Sequence, residues 1–165
     1  MDYGVTFTGV GPMADPENLR RLTRKAEHLG FKSVWLYDHV TFPGKAPEKS
    51  PFTPETPFLS PVTTLAFLAA ETKQIRLGTG VLLVALRHPL LIAKDVATLD
   101  VISGGRAILG LGLGWLEPEF QWSERNSSRE GEPGSKSRKR PVGGWRGDGS
   151  TLRFLCAKRL LVRST

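Results

Sequence analysis

Apolar positions along the first 120 residues alternate between short and long rhythms. Gly4-Val5-Thr6-Phe7-Thr8 is a compact run of β-favouring residues. After it, Leu19, Leu22, Ala26 and Leu29 recur at the interval of one helix face. Ser33-Val34-Trp35-Leu36-Tyr37-Asp38 returns to a continuous strand-like run. Leu65, Leu68 and Ala69 mark a second helix, and Ile75 to Val81 a third strand. Ile92, Val96 and Leu99 mark a third helix, and Arg106 to Gly112 a fourth strand. All three helices are predicted to open alike, with a polar residue followed by proline in the first helical position: Asp15-Pro16, Ser60-Pro61 and His88-Pro89. Gly30 and Gly104-Gly105 are the predicted stops of the first and third.

The strands begin near residues 4, 33, 75 and 106. Such steps suit right-handed βαβ crossovers of about 30 residues each. Strands apolar on both faces are the mark of a buried parallel sheet. The expected fold class is therefore α/β. The long step has its cause between Val40 and Pro61, where Pro43, Pro47, Pro51, Pro54, Pro57 and Pro61 crowd one connection. Connections of that length are usually functional or disordered. This one leaves the C-terminal end of a strand, the side on which parallel α/β proteins build their sites. It is expected to act as a substrate-side lid, the alternative being an insertion without function.

Composition narrows the class. The chain has 165 residues, 39% of them hydrophobic and 24% charged, which suits one globular domain and excludes a membrane protein or a wholly disordered chain. No apolar run is longer than Val81 to Leu86, which is far too short to cross a bilayer. The N-terminus carries no basic flank or long apolar stretch of a signal peptide. With Cys156 alone, no internal disulfide is available, and a cytoplasmic location is expected.

The net charge of +7 is unevenly placed. Residues 1–120 hold 12 basic and 12 acidic side chains, whereas residues 121–165 hold 11 and 4. The excess belongs entirely to a Ser/Gly/Arg-rich segment without apolar periodicity, in which only Leu152 to Val162 suits a short element. Two segments are therefore expected: a domain over 1–120 and a basic, disordered tail over 121–165. Trp122 and Trp145 interleaved with the basic residues would suit nucleic acid. A non-specific charged tail is the stronger reading, and nucleic acid is not the expected partner.

Chemistry concentrates at strand ends. Asp38-His39 stands where the second strand meets the long connection, and a histidine there can exchange protons near neutrality. The alternative is a polar strand end. Gly78-Thr79-Gly80 suggests a bulge or a close backbone approach, with the Thr79 hydroxyl available to a ligand. Gly110-Leu111-Gly112-Leu113-Gly114-Trp115 is neither a dinucleotide fingerprint nor a phosphate loop. Its glycines either leave room for a flat ring walled by Trp115 or make a tight corner. Glu117 and Glu119 are expected as a solvated acidic helix start rather than a carboxylate pair. His28 and His88 have no companion at metal-ligand spacing, and no metal site is expected.

Four stretches taken together resemble one family. Trp35-Leu36-Tyr37-Asp38-His39, Ile75-Arg76-Leu77-Gly78-Thr79-Gly80-Val81, Leu99 to Arg106 and Gly112-Leu113-Gly114-Trp115-Leu116-Glu117-Pro118-Glu119-Phe120 are similar, in order, to the luciferase-like monooxygenase superfamily. The likeness is greatest to its branch of coenzyme F-420-dependent oxidoreductases. The resemblance implies a (β/α)8 TIM barrel, here a partial one of about four βα units, with a deazaflavin (F-420) or FMN in its mouth. It implies that Asp38 and His39 lie beside the ring system, with His39 as proton donor or anchor. Gly78, Thr79, Gly80 and Val81 would support the ring on a backbone bulge, and Gly112, Gly114 and Trp115 would border the same pocket. A small organic molecule would be the substrate. Some relatives carry an acidic residue where Trp115 falls, so their acid/base role does not carry over to that position.

The resemblance stops near Phe120, and a full barrel takes about 250 residues. The expectation is a truncated or frame-shifted copy, its tail read in a foreign frame and its activity weak or absent. Open sheet edges at the first and fourth strands would invite pairing between two copies. A non-catalytic fragment acting through those edges is the alternative function.

Overall fold

The computed structural model describes residues 1–7, 9–41, 52–53, 55–121 and 162–163. The middle of the proline-rich connection and nearly all of the basic tail lie outside these residues, and with them the expected lid and the expected disorder.

The elements alternate as β1 (Gly4–Thr6), α1 (Pro16–His28), β2 (Ser33–Leu36), α2 (Pro61–Glu71), β3 (Arg76–Thr79), β4 (Leu82–Leu83), α3 (Pro89–Ser103) and β5 (Ala107–Gly112). Short 3-10 turns at Gly11–Ala14 and Val84–Leu86 precede α1 and α3, and a two-residue strand, β6, lies at Val162–Arg163. Each helix opens on its proline, Pro16, Pro61 or Pro89. Only the Asp15 side chain caps, accepting the Asn18 N–H at 2.8 Å. The Gly104 stop adopts φ 74°, the left-handed conformation that glycine takes without a Cβ penalty.

Strands β1, β2, β3 and β5 stand side by side in chain order, all parallel. The register aligns Val5, Val34, Leu77 and Ala107 in one row across the sheet. Because the strand order never reverses, right-handed crossovers place every helix on the same face. This is the arrangement of a curling barrel wall rather than of a doubly wound sheet. The core lies between that face and the helices: Val34, Leu36 and Leu77 against Leu19, Ala26, Leu65, Leu68 and Leu99. A smaller cluster of Leu82, Ile92, Val96 and Leu109 joins α3 to the upper sheet.

The sequence expectation of strands buried on both faces is half met. Trp35 and Ile108, which alternate with Val34 and Ala107, are only partly buried. The opposite face is the one a closed barrel turns inward. Two strands also end earlier than expected, β1 at Thr6 and β2 at Leu36, so Asp38 and His39 stand beyond the ladder. The expected third strand is split by a cis peptide between Gly80 and Val81, after which β4 pairs with the last residues of β5. Of the two expected open edges, β1 pairs with β2 alone among the described residues, whereas β5 also carries β6.

Candidate active site

The C-terminal ends of β2, β3 and β5 open into one hollow of about 430 Å³. That size suits a ring-sized ligand. Tyr37, Asp38 and His39 enter it from the end of β2, and Gly80, Val81 and Leu83 from the β3–β4 junction. Gly114, Trp115 and Glu119 border it from the segment after β5, and Phe52 and Phe58 from the returning end of the long connection. That returning end is anchored by an antiparallel bridge between Val10 and Phe58.

Asp38 is buried, and its carboxylate works as a strut. It accepts the Leu83 N–H at 2.8 Å and takes both terminal nitrogens of Arg87, one of them at 2.8 Å. Bidentate pairing of this kind fixes direction as well as distance. The end of β2 is thereby tied to the turn leading into α3.

His39 sits at the centre. Its Nδ1 is 3.0 Å from Oε2 of Glu119. The ring meets Phe58 edge-on at 5.3 Å and Trp115 edge-on at 6.3 Å between centroids. The other oxygen of Glu119, Oε1, accepts the N–H groups of Val40 at 2.8 Å and Thr41 at 3.3 Å. Glu119 is 1% exposed, which corrects the expectation of solvation for that residue, whereas Glu117 is exposed at the start of the turn. It lies in a helical turn over 117–121 between buried Leu116 and half-buried Phe120, and this turn folds back onto the β2 end.

Of the residues singled out from the sequence, Asp38, His39, Gly80, Val81, Gly114 and Trp115 come together around the hollow. Gly78, Thr79 and Gly112 are engaged elsewhere. A Cβ on Gly78 would fall 2.5 Å from the Trp35 ring, and one on Gly112 would fall 2.3 Å from a Val81 methyl. Those two glycines admit neighbouring side chains of the protein itself. The Thr79 hydroxyl donates to the Gly110 carbonyl at 2.9 Å and accepts the Gly110 N–H at 3.0 Å, stitching β3 to β5. Its one proton is thus committed inside the sheet.

Sequence reasoning missed Arg87, Phe52 and Phe58, and it took Glu119 for a solvated residue. The partners of Arg87 and Glu119 lie far away in the chain, 49 positions for Arg87 and Asp38 and 80 for Glu119 and His39. The one local signal was the spacing of Glu119, three positions after Leu116 and next to Phe120, on the apolar side of a helical turn. Among the described residues no group of three or more His, Cys, Asp or Glu is placed to hold a metal ion.

The family model described as luciferase-like monooxygenase matches residues 3–132. The chain belongs to this family. A crystal structure of the monooxygenase RslO1 from Streptomyces bottropensis superposes with TM-score 0.59 at 36% identity, covering 75% of this chain and 36% of that one. The coenzyme F-420-dependent tetrahydromethanopterin reductase of Methanopyrus kandleri superposes with TM-score 0.56 at 32% identity, covering 73% of this chain and 29% of that one. An F-420-dependent glucose-6-phosphate dehydrogenase of Kineococcus radiotolerans is 38% identical over 104 residues, 60% of this chain and 27% of its own length. This luciferase-like chain therefore spans less than half the length of the relatives it matches. Its α/β wall is the corresponding part of a TIM-barrel fold, as the strand order indicates.

Proposed function

We propose that the hollow around His39 receives the ring system of coenzyme F-420 or FMN and that the chain serves hydride transfer to or from a small organic substrate. The observation that carries this reading is the convergence of His39, Glu119, Trp115 and the Gly80–Val81 peptide on one cavity at the strand ends. The cavity fits such a group: its walls are mostly aromatic and aliphatic side chains and glycine backbone, and its polar groups are those of Tyr37, Asp38, His39 and Glu119. Gly80, Val81 and Gly114 would hold the ring by backbone contact, and Trp115 and Phe58 would flank it. The bound deazaflavin or flavin supplies the hydride chemistry. The protein's own residues orient it, limit water through Phe52 and Phe58, and offer a proton-exchanging group in His39. Gly78, Thr79 and Gly112 support this pocket from behind, shaping the strands that form it.

A titration of the purified chain with FMN and with F-420, followed by cofactor fluorescence, tests the reading. Saturable micromolar binding of one cofactor, lost in His39→Ala, is the expected outcome. Affinity at the weak end is expected, because the described sheet supplies one side of a barrel only. The single cysteine supports a cytoplasmic location, and no helix among the described residues is long and apolar enough to cross a membrane.

A second reading rests on a separate observation: among the described residues β1 pairs with β2 alone. In it the chain is a non-catalytic barrel fragment that pairs with a second copy through the edge of β1. Absence of binding by a folded chain would favour it.

A further inference from the structure

We propose that Glu119 is the positioning residue for His39: it holds the proton on Nδ1 and so leaves the lone pair of the neutral ring on Nε2, the nitrogen at which a further proton is taken up. The inference deepens the reading of the hollow as an oxidoreductase site and rests on it for its purpose, although not for its geometry.

Three contacts define the arrangement. The Oε1 atom of Glu119 is taken by two backbone donors, Val40 N–H and Thr41 N–H. Those bonds fix the carboxylate plane and leave Oε2 facing Nδ1 of His39 at 3.0 Å. A carboxylate has no proton to give, so a neutral ring meets it only with Nδ1–H donating. Phe58 and Trp115 meet the imidazole at interplanar angles of 82° and 84°. These aromatic contacts act with the Glu119 hydrogen bond on the ring's orientation. Nε2 then carries the lone pair. A proton arriving there makes an imidazolium whose charge lies beside Glu119, and the same proton can leave by the same atom. A histidine oriented by a buried carboxylate is a general device for acid–base work. In water, neutral histidine prefers its proton on Nε2, so the opposite tautomer here is a distinguishing mark.

The test is the ring-nitrogen spectrum of the whole ¹⁵N-labelled chain, at a pH where the spectrum shows neutral imidazole. The chain has three histidines, and His39→Asn identifies the signals of His39. The expected wild-type pattern is a pyrrole-type Nδ1 and a pyridine-type Nε2. Glu119→Gln keeps the shape, and its carbonyl oxygen stays on the two backbone donors, so its NH₂ faces Nδ1. The ring must then accept at Nδ1, and the pattern is expected to invert, with the proton on Nε2. A wild-type ring already protonated on Nε2 overturns the proposal, even should the variant fail to fold. So does a folded Glu119→Gln protein whose pattern is unchanged. Inversion in a chain that binds neither F-420 nor FMN would uphold the role of Glu119 and overturn the oxidoreductase reading alone.

Discussion

At the end of the sheet opposite the hollow, two side chains close the turn between α2 and β3. Arg106 donates to the carbonyls of Ala69, Thr72, Ile75 and Ser103 and to the Thr72 hydroxyl, at 2.6–3.2 Å. It thereby satisfies acceptors that the end of α2 leaves without helical partners. Glu27, at the end of α1, accepts the N–H groups of Lys73, Gln74 and Ile75 from the other side of the same turn. Burial opposes ionisation of Glu27, but the Ile75, Gln74 and Lys73 donors outweigh it, with help from the Arg106 charge, and hold its carboxyl below the ordinary range. A carboxyl lowered on folding adds stability that is complete above its unfolded value, about 4.3. That stability is lost as pH falls through the lower, folded value. Urea unfolding across pH should show Glu27→Gln less stable than the wild type at pH 7, the two converging in acid. Parallel curves at all pH values would show that these bonds add nothing to the pH dependence.

At the scale of elements, one starting device serves three helices with unequal effect. Asp15 caps α1 through its side chain, whereas Ser60 and His88 make no such bond at α2 and α3. Asp15→Ala should cost about 1 kcal/mol in chemical denaturation. Ser60→Ala should stay within about 0.5 kcal/mol, since Thr64 bonds the Ser60 carbonyl rather than its hydroxyl. Equal losses would remove the distinction. Helix starts and stops were legible because proline and glycine act on their own backbone, within a residue or two. The strands were legible as runs, but their partners across the sheet were not. Nothing local in Trp35 announces that its ring will lie over Gly78, because that meeting depends on the β2–β3 register. His39 was legible as chemistry by its place at a strand end. Its clasp by Glu119 was not, since it forms only when the segment after β5 folds back over β2.

For the whole molecule, the decisive feature is a sheet with helices on one face and β1 at its margin. Strands β2 and β3 are paired on both sides, while β1 has β2 alone among the described residues. Amide hydrogen exchange should reflect this, with the slowest rates in Val34–Leu36 and Leu77–Thr79 and faster exchange in Gly4–Thr6. Protection of β1 equal to that of β3 would mean that its margin is covered, as in the paired-copy reading. A second groove, about 550 Å³, lies between α2 and α3. Arg87 borders this groove and Asp38 borders the hollow, so their ion pair stands between the two.

Strand order also governs how such a molecule comes into being. Each strand from β1 to β5 meets a neighbour that left the ribosome only one βα unit earlier, so no early strand waits for a distant partner. Loop-closure costs stay modest at every step, and ordering can proceed as the chain emerges. The His39 clasp is the exception. It joins positions 80 residues apart and can form only after β5 is in place. The wall from β1 to β5 can thus order ahead of the site, whose clasp needs Glu119 beyond β5.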